Sequence, residues 1–267
     1  LENQGDFPQG KNWHFGIREH AMGAICNGVA NYGLFLPFCA TFFVFSDYMS
    51  PSVRVASLMK ARVYYIWTHD SIGVGEDGAT HQPIEQLSHF RAMPNLLVFR
   101  PADANENVAC WQVALDSHLP CAFVLSRQNL PVLMPYDENL KEQVKKGAYI
   151  LQECENADIT LMASGSEVSL ALNAVKALEQ AGIKARVVSV PCFDLLLEQS
   201  KSYVKELCGE SKILAIEASR GLEWYYIADE VISMKGFGAS GKGEMLFNHF
   251  GFSVENILKV AKTLCKK

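Results

Sequence analysis

The sequence predicts an α/β protein of two domains, each a mostly parallel sheet with helices on both faces. Three observations carry this. The chain has 267 residues, and at about 100–200 residues per domain that length suggests two compact units. Short β-branched or aromatic runs alternate with amphipathic helical stretches, the pattern of a parallel sheet covered on both sides. That rhythm runs twice, and the proline- and charge-rich segment PVLMPYDENLKEQVKK at 131–146 interrupts it once. The expected division is therefore a first domain at 1–130, a linker at 131–147 and a second domain at 148–267.

In the first unit, Ile17, Ala21, Met22, Ile25, Cys26, Val29 and Ala30 recur at helical spacing, and Gly33 supplies a stop. An apolar run reaches to about Phe43, and a helical stretch follows near 46–59. Residues 63–68 (VYYIWT) read as a buried strand, followed by a long loop at 69–83. Residues 96–99 form a short strand closed by Arg100 and Pro101. Asp103 and Glu106 have capping-box spacing, with Val108, Trp111 and Leu115 as one face of the next helix. Residues 121–125 (CAFVL) are another strand. In the second unit, strands are expected at 158–163, 185–190, 213–217 and 230–234. A helix at 167–181 ends at Gly182 and buries Val168, Leu172, Val175 and Leu178; a closing helix covers about 253–265. Each unit is too small for a complete dinucleotide-binding fold.

Composition excludes several classes. The chain is 49% hydrophobic and 20% charged, with a formal net charge of −5. Residues 1–133 carry 8 Lys+Arg against 11 Asp+Glu and residues 134–267 carry 16 against 18, so no basic footprint of a nucleic-acid binder exists. No stretch approaches the roughly 18 apolar residues of a membrane span. The longest candidate, 34–45, is broken by Pro37 and Thr41. The polar, acidic N-terminus is unlike a signal peptide, and it begins with leucine, so the chain is expected to be a piece of something longer. Eight cysteines without a C-x-x-C pair suit buried thiols in a reducing cytosol. Six of the seven histidines precede residue 120, which places the chemistry in the first unit.

The densest polar constellation is THDSIGVGEDGATHQPIE at 68–85, directly after a buried strand, where a parallel sheet presents its ligands. His69, Asp70, Glu76, Asp77 and His81 lie within 13 residues, and Gly73, Gly75 and Gly78 permit tight or left-handed turns. This reads as a binding loop for a hydroxylated or phosphorylated substrate. A polar surface loop and a metal site are the alternatives, although the spacing matches no compact ligand motif. Gly236, Gly238 and Gly241 match G-x-G-x-x-G, but the chain after them reads as two helices, without the second strand and acidic residue of a dinucleotide site. A P-loop is also one residue short, with Gly243 where Ser or Thr belongs. The reading is a tight structural turn, with nucleotide binding as the rival. Glu19, in HFGIREHAMG, falls in the first turn of the first helix, where the dipole alone favours a carboxylate. Phe42, Phe45 and Tyr48 recur every third residue, and physics alone favours core packing for them.

Taken together, GIREHAMGAICNG, ATFFVFSDY, THDSIGVGEDGATHQPIE, RPAD, LSRQN and GFGASGKGE resemble, in that order, the second half of a transketolase. The resemblance runs from about His14 to the C-terminus, and the joint occurrence of GEDG-x-THQP with LSRQN is its specific part. Ala79 stands where the family more often has proline, a change of loop stiffness.

The resemblance implies a thiamine-diphosphate-binding fold: a pyrimidine-binding domain at 1–130, lacking its first strand, then a transketolase C-terminal domain. The diphosphate-binding domain, with its GDG motif and its ligands for Mg2+ or Ca2+, is expected outside this chain, which then supplies no metal ligand and is inactive alone. By the same resemblance Glu19 is the catalytic carboxylate that shares a proton with the cofactor's pyrimidine, and Phe42, Phe45 and Tyr48 surround that ring. His69 and Arg127 face a sugar phosphate, while Asp77 and His81 take sugar hydroxyls. The implied activity is transfer of a two-carbon ketol unit between sugar phosphates in the cytoplasmic pentose phosphate pathway. The enzyme is expected to be a homodimer with its site at the subunit interface, without nucleic-acid or membrane partners. Dihydroxyacetone synthase differs mainly in acceptor and stays open. A deoxyxylulose-phosphate synthase shares the THQ loop but is expected to have GIAEQ where this chain has GIREH, and no LSRQN. From another class, a non-catalytic nucleotide-binding module built on 236–243 remains.

Overall fold

Buried β-branched and aromatic runs set the first of two sheets in a computed structural model that describes residues 11–266. In chain order come α1 (Glu19–Tyr32), β1 (Phe38–Phe42), α2 (Ser46–Met59), β2 (Tyr64–Thr68), α3 (Gln86–Arg91), β3 (Leu97–Phe99), α4 (Ala104–Asp116) and β4 (Cys121–Leu125). The four strands lie in the order β1-β2-β4-β3 and every pair is parallel. The second unit contains α5 (Glu138–Val144), β5 (Tyr149–Gln152), β6 (Ile159–Ala163), α6 (Glu167–Gln180), β7 (Ala185–Ser189), α7 (Phe193–Leu197) and α8 (Lys201–Cys208). It ends with β8 (Lys212–Glu217), β9 (Glu230–Ser233), α9 (Gly243–His249) and α10 (Val254–Leu264). Its strand order is β5-β7-β6-β8-β9, parallel except for the edge strand β5. The fold is α/β with two mostly parallel sheets.

Three local expectations change. On α1 the apolar stripe packs only in part: Cys26 is buried and Met22 and Ala30 pack against the core, but Ile17, just before the helix, is 93% exposed, Ile25 is also exposed, and Gly23 and Asn27 join the buried face. The reason is a close crossing with α2. A Cβ on Gly23 would overlap the Ser52 hydroxyl, and Asn27 Nδ2 donates to the Ser52 carbonyl at 2.8 Å. On α4, Val108 and Leu115 face outward, and Ala109, Cys110, Val113 and Ala114 form the buried strip. The Glu106 carboxylate does not return to the Asp103 N–H. It turns inward and accepts from Ala102 N, Tyr149 OH and Ser189 Oγ. The segment 131–147 carries α5, capped by Asp137 Oδ1 accepting from Leu140 N, with Leu140 and Val144 buried.

The two cores interpenetrate. Ile72, Ile84 and Ala102 from the first unit pack within the core of the second sheet. Tyr149 and Cys192 from the second unit pack on the first. The outer edge of β3 is covered as well: Arg100 N donates to Pro191 O at 2.8 Å, and Val98 N donates to the Asp194 carboxylate at 3.2 Å. Six of the eight cysteines, Cys26, Cys39, Cys110, Cys121, Cys192 and Cys208, are buried, and Cys154 and Cys265 are half-buried. Among the described residues no helix is long and apolar enough to cross a membrane.

Parallel strands end together, so Phe42, Thr68, Phe99 and Leu125 mark one edge of the first sheet. The helices α1 and α2 run side by side in the same sense, since Gly23 meets Met49 and Ser52 while Asn31 Nδ2 reaches Met59. The start of α1 therefore lies at the end where α2 begins, next to that same edge.

Candidate active site

Glu19 is the first residue of α1 and is half-buried. Arg18 precedes it without a capping side chain; its guanidinium donates instead to the Phe15 carbonyl at 2.6 Å. Glu19 makes no hydrogen bond or ion pair among the described residues. A carboxylate here is favoured by the helix dipole, yet its oxygens remain uncommitted.

At the end of β1 the chain tightens into a 3-10 turn, Phe43–Phe45, before entering α2. The turn sorts the aromatic run. Phe43 is fully buried, 5.4 Å from Trp67 between ring centroids, and belongs to the core. Phe42 and Phe45 are half-buried and nearly parallel, with centroids 6.1 Å apart and planes 8° apart. Tyr48 follows at 6.3 Å from Phe45 and is 65% exposed. Core packing, the expectation from periodicity alone, is thus corrected: the every-third stripe is a surface of stacked rings, and the residue between its members is the core one.

After β2 the loop begins with His69 in the left-handed region at φ +65°. Its Nδ1 lies 2.9 Å from Thr68 Oγ1, and its ring lies on Phe42 with centroids 3.6 Å apart. Burial and the Arg127 guanidinium hold the imidazole below its usual pKa, against the opposite pull of Asp77 and Asp70. His81 stands edge-on to Phe45 at 5.4 Å, with Nδ1 2.9 Å from Thr80 Oγ1. Asp77 and, just past β4, Arg127 are exposed.

The loop is not a free polar excursion. Residues 70–75 are buried, and the glycine turn of the second unit clasps it. Gln82 Nε2 donates at 2.9 Å both to Gly75 O within the loop and to Ala239 O across the junction. Ser240 Oγ donates to Glu76 O at 2.5 Å. A Cβ on Gly238 would overlap Gln82 Oε1, so close approach explains that glycine. The 236–243 turn is a docking element for the site loop. Among the described residues no group of three or more His, Cys, Asp or Glu could hold a metal ion.

Behind the loop is a buried ion cluster that sequence reasoning missed. Arg100, directly after β3, donates to Asp70 Oδ2 through Nε at 3.1 Å and through Nη2 at 2.8 Å. Its Nη1 donates to the Ser164 carbonyl at 2.8 Å and pairs with Glu167 and Glu217. Arg91 pairs with Glu217 at 2.7 Å and with Glu223. Burial alone would raise the Glu217 pKa, but the two arginines outweigh it and hold the carboxyl low. The available signal was an arginine placed straight after an apolar strand, with partners too distant in sequence to be guessed.

An uncommitted carboxylate beside parallel aromatic rings suits a flat nitrogen heterocycle. Imidazoles, a carboxylate and an exposed guanidinium suit an anionic, hydroxylated ligand. On these grounds the residues fit the pyrimidine part of thiamine diphosphate.

Two family models match the chain: "transketolase, pyrimidine binding domain" over residues 2–132 and "transketolase-like TK C-terminal domain" over residues 147–253. A transketolase of Halalkalibacterium halodurans is 50% identical over 262 residues, 96% of this chain and 39% of that protein. The transketolase structure of Campylobacter jejuni superposes with a TM-score of 0.92 at 51% identity, covering 98% of this chain and 40% of that one. A Pichia stipitis transketolase solved in complex with sedoheptulose-7-phosphate gives a TM-score of 0.91 at 42% identity, covering 95% of this chain and 38% of that one. The chain spans about two-fifths of the length of the relatives it matches.

Proposed function

The chain belongs to the transketolase family, and from that premise we propose that it forms the pyrimidine-binding and C-terminal domains of a thiamine-diphosphate enzyme. That enzyme moves a two-carbon ketol unit from a ketose phosphate to an aldose phosphate, chemistry of the pentose phosphate pathway. The supporting observation is the gathering at one sheet edge of an uncommitted carboxylate, parallel aromatic rings, two imidazoles and an exposed guanidinium. The sugar phosphate bound by the Pichia stipitis relative supports the substrate class.

When bound, the cofactor supplies the electron sink for cutting and remaking a carbon–carbon bond. The residues of this chain do the rest. Glu19 holds a proton at a pyrimidine ring nitrogen, and Phe42, Phe45 and Tyr48 hold the ring and keep water from its face. Arg127 binds the substrate phosphate through charge-assisted hydrogen bonds. His69, kept neutral by burial and by Arg127, adds a directed hydrogen bond there and not a second charge. Asp77 accepts from sugar hydroxyls, with His81 beside it. Diphosphate and divalent-metal ligands, for Mg2+ or Ca2+, we assign to a further domain outside this chain.

Within the chain we place the pyrimidine-binding domain at 1–130, without its first strand, the linker at 131–147 and the C-terminal domain at 148–267. The working assembly is a homodimer with the site at the subunit interface. Its support is the exposure of Tyr32, Leu34, Phe35 and Phe38 beside α1 and β1, large apolar side chains close together on one flank. Six cysteines buried among apolar side chains fit a cytoplasmic setting.

The test is an assay of the enzyme assembled with its diphosphate-binding domain, thiamine diphosphate and Mg2+. Ketose phosphate should be consumed only when an aldose phosphate acceptor is present, and this chain alone should be inert. Preference for an acceptor that is not a sugar phosphate would move the assignment to dihydroxyacetone synthase. No turnover with any acceptor would sink it.

A further inference from the structure

We infer that Arg100 is a positioning residue of this site, acting through Asp70 to fix the backbone that carries His69. The inference rests on the proposed function only for what His69 binds; the placement itself stands on geometry. His69 is a non-glycine residue at φ +65°, a conformation that persists only where the neighbouring structure imposes it. The next residue supplies the restraint. The Asp70 side chain is buried and receives two hydrogen bonds from one guanidinium, at 2.8 and 3.1 Å, and a third from Ser71 Oγ at 3.1 Å.

Arg100 is itself immobilised, and mostly by the other unit. Its backbone N–H donates to Pro191 O and its carbonyl accepts from Gly165 N, at 2.8 and 2.9 Å. Its guanidinium lies across Gly165, at φ +58°, where a Cβ would stand 2.7 Å from Cζ. Ser164, Glu167 and Glu217, from the ends of β6 and β8 and the first turn of α6, take its remaining donors. A lysine could not replace this fork, because one ammonium cannot address Asp70 and the second sheet in two directions. Buried ion clusters are often no more stabilising than well-packed apolar side chains, which is consistent with an orienting role for this one. The second sheet thereby sets the geometry of a residue in the first.

The experiment compares Asp70→Asn, Arg100→Lys and Glu223→Gln in the assembled, cofactor-loaded enzyme. Glu223 pairs with Arg91 and touches neither Arg100 nor Asp70, so Glu223→Gln reports the cost of loosening the junction alone. Asp70→Asn should raise KM for phosphorylated donors by about ten- to hundredfold. Its melting temperature should drop no more than that of Glu223→Gln, whose KM should stay put. A crystal structure of Asp70→Asn should find His69 outside the left-handed region, a readout that needs no turnover and survives if the proposed activity is wrong. Arg100→Lys should copy the KM defect; if it does not fold, Asp70→Asn still decides. Wild-type KM in Asp70→Asn, or His69 still near φ +65° in its structure, would overturn the inference.

Discussion

His69 lies flat on Phe42, with ring centroids 3.6 Å apart and planes 18° from parallel. One ring ends β1 and the other follows β2, so the register of two paired strands decides whether they meet; Phe42 pairs with Thr68, the residue before His69. In the proposed reading, Phe42 faces the cofactor and His69 the substrate. The stack therefore ties the two binding surfaces together.

Arg127→Ala, in the assembled enzyme, is expected to raise KM for phosphorylated sugars far more than for unphosphorylated donors such as hydroxypyruvate. Arg127 is exposed and makes no hydrogen bond among the described residues, so its loss should not disturb the fold. Charge-assisted bonds to phosphate contribute about 1.5–3 kcal/mol, or about ten- to hundredfold. Steady-state kinetics with both donor types checks this, and equal losses would mean that Arg127 does not read the phosphate.

Glu19→Gln should separate catalysis from helix stability. A dipole contact at the start of α1 is worth about 0.3–1 kcal/mol, which sets the expected loss on urea denaturation. Turnover should fall by about 10²–10⁴ if the carboxyl positions a proton on the cofactor. Hydrogen–deuterium exchange at the thiazolium carbon isolates that step from sugar chemistry. Exchange as fast as in the unmutated enzyme would remove Glu19 from its role.

Asp194 gives a pH signature to the junction. Burial pushes its pKa from 3.8 up to about 7, against the pull of the Val98 N–H it caps and of Arg91. A carboxyl raised on folding favours the native state while protonated. Its contribution is whole below about pH 4 and is lost as pH rises through 7, by about 4 kcal/mol at most. Asp194→Asn keeps the acceptor and cannot ionise. Urea curves at pH 4.5 and 8 should show the variant gaining on the parent at the higher pH, and parallel behaviour would refute the assignment.

Gly238→Ala should destabilise by about 1–3 kcal/mol. The new methyl displaces Gln82, whose amide bridges Gly75 and Ala239 across the junction, and leaves buried carbonyls unpaired. Gly236→Ala, where a Cβ meets nothing within 4 Å, is the control and should leave the melting temperature nearly unchanged.

The parallel strands were legible because a strand buried on both faces is a continuous apolar run, as at 63–68 and 121–125. β5 escaped notice: it is four residues long, antiparallel and partly exposed, so neither pattern nor length marks it. α7 and α8 are similarly short, at five and eight residues. The faces of α1 and α4 were legible only in part: Met22, Cys26 and Trp111 pack as the spacing implies, but glycine, asparagine and alanine share the packing there, while Ile25, Val108 and Leu115 face out. In the site, the loop at 68–85 was visible as a density of polar residues. Arg100 was not, because its partners stand 30, 67 and 117 positions away and only the assembled sheets bring them together.

The exchange of Ile72, Ile84, Ala102, Tyr149 and Cys192 between the two cores bears on how the molecule melts. Unfolding either sheet strips apolar side chains from the other, so a half-unfolded species loses stability on both sides of the junction. The 131–147 connection, with α5 buried against α4, does not uncouple them. Heating should then yield a single endotherm whose calorimetric and van't Hoff enthalpies agree, the behaviour of one cooperative unit across two sheets.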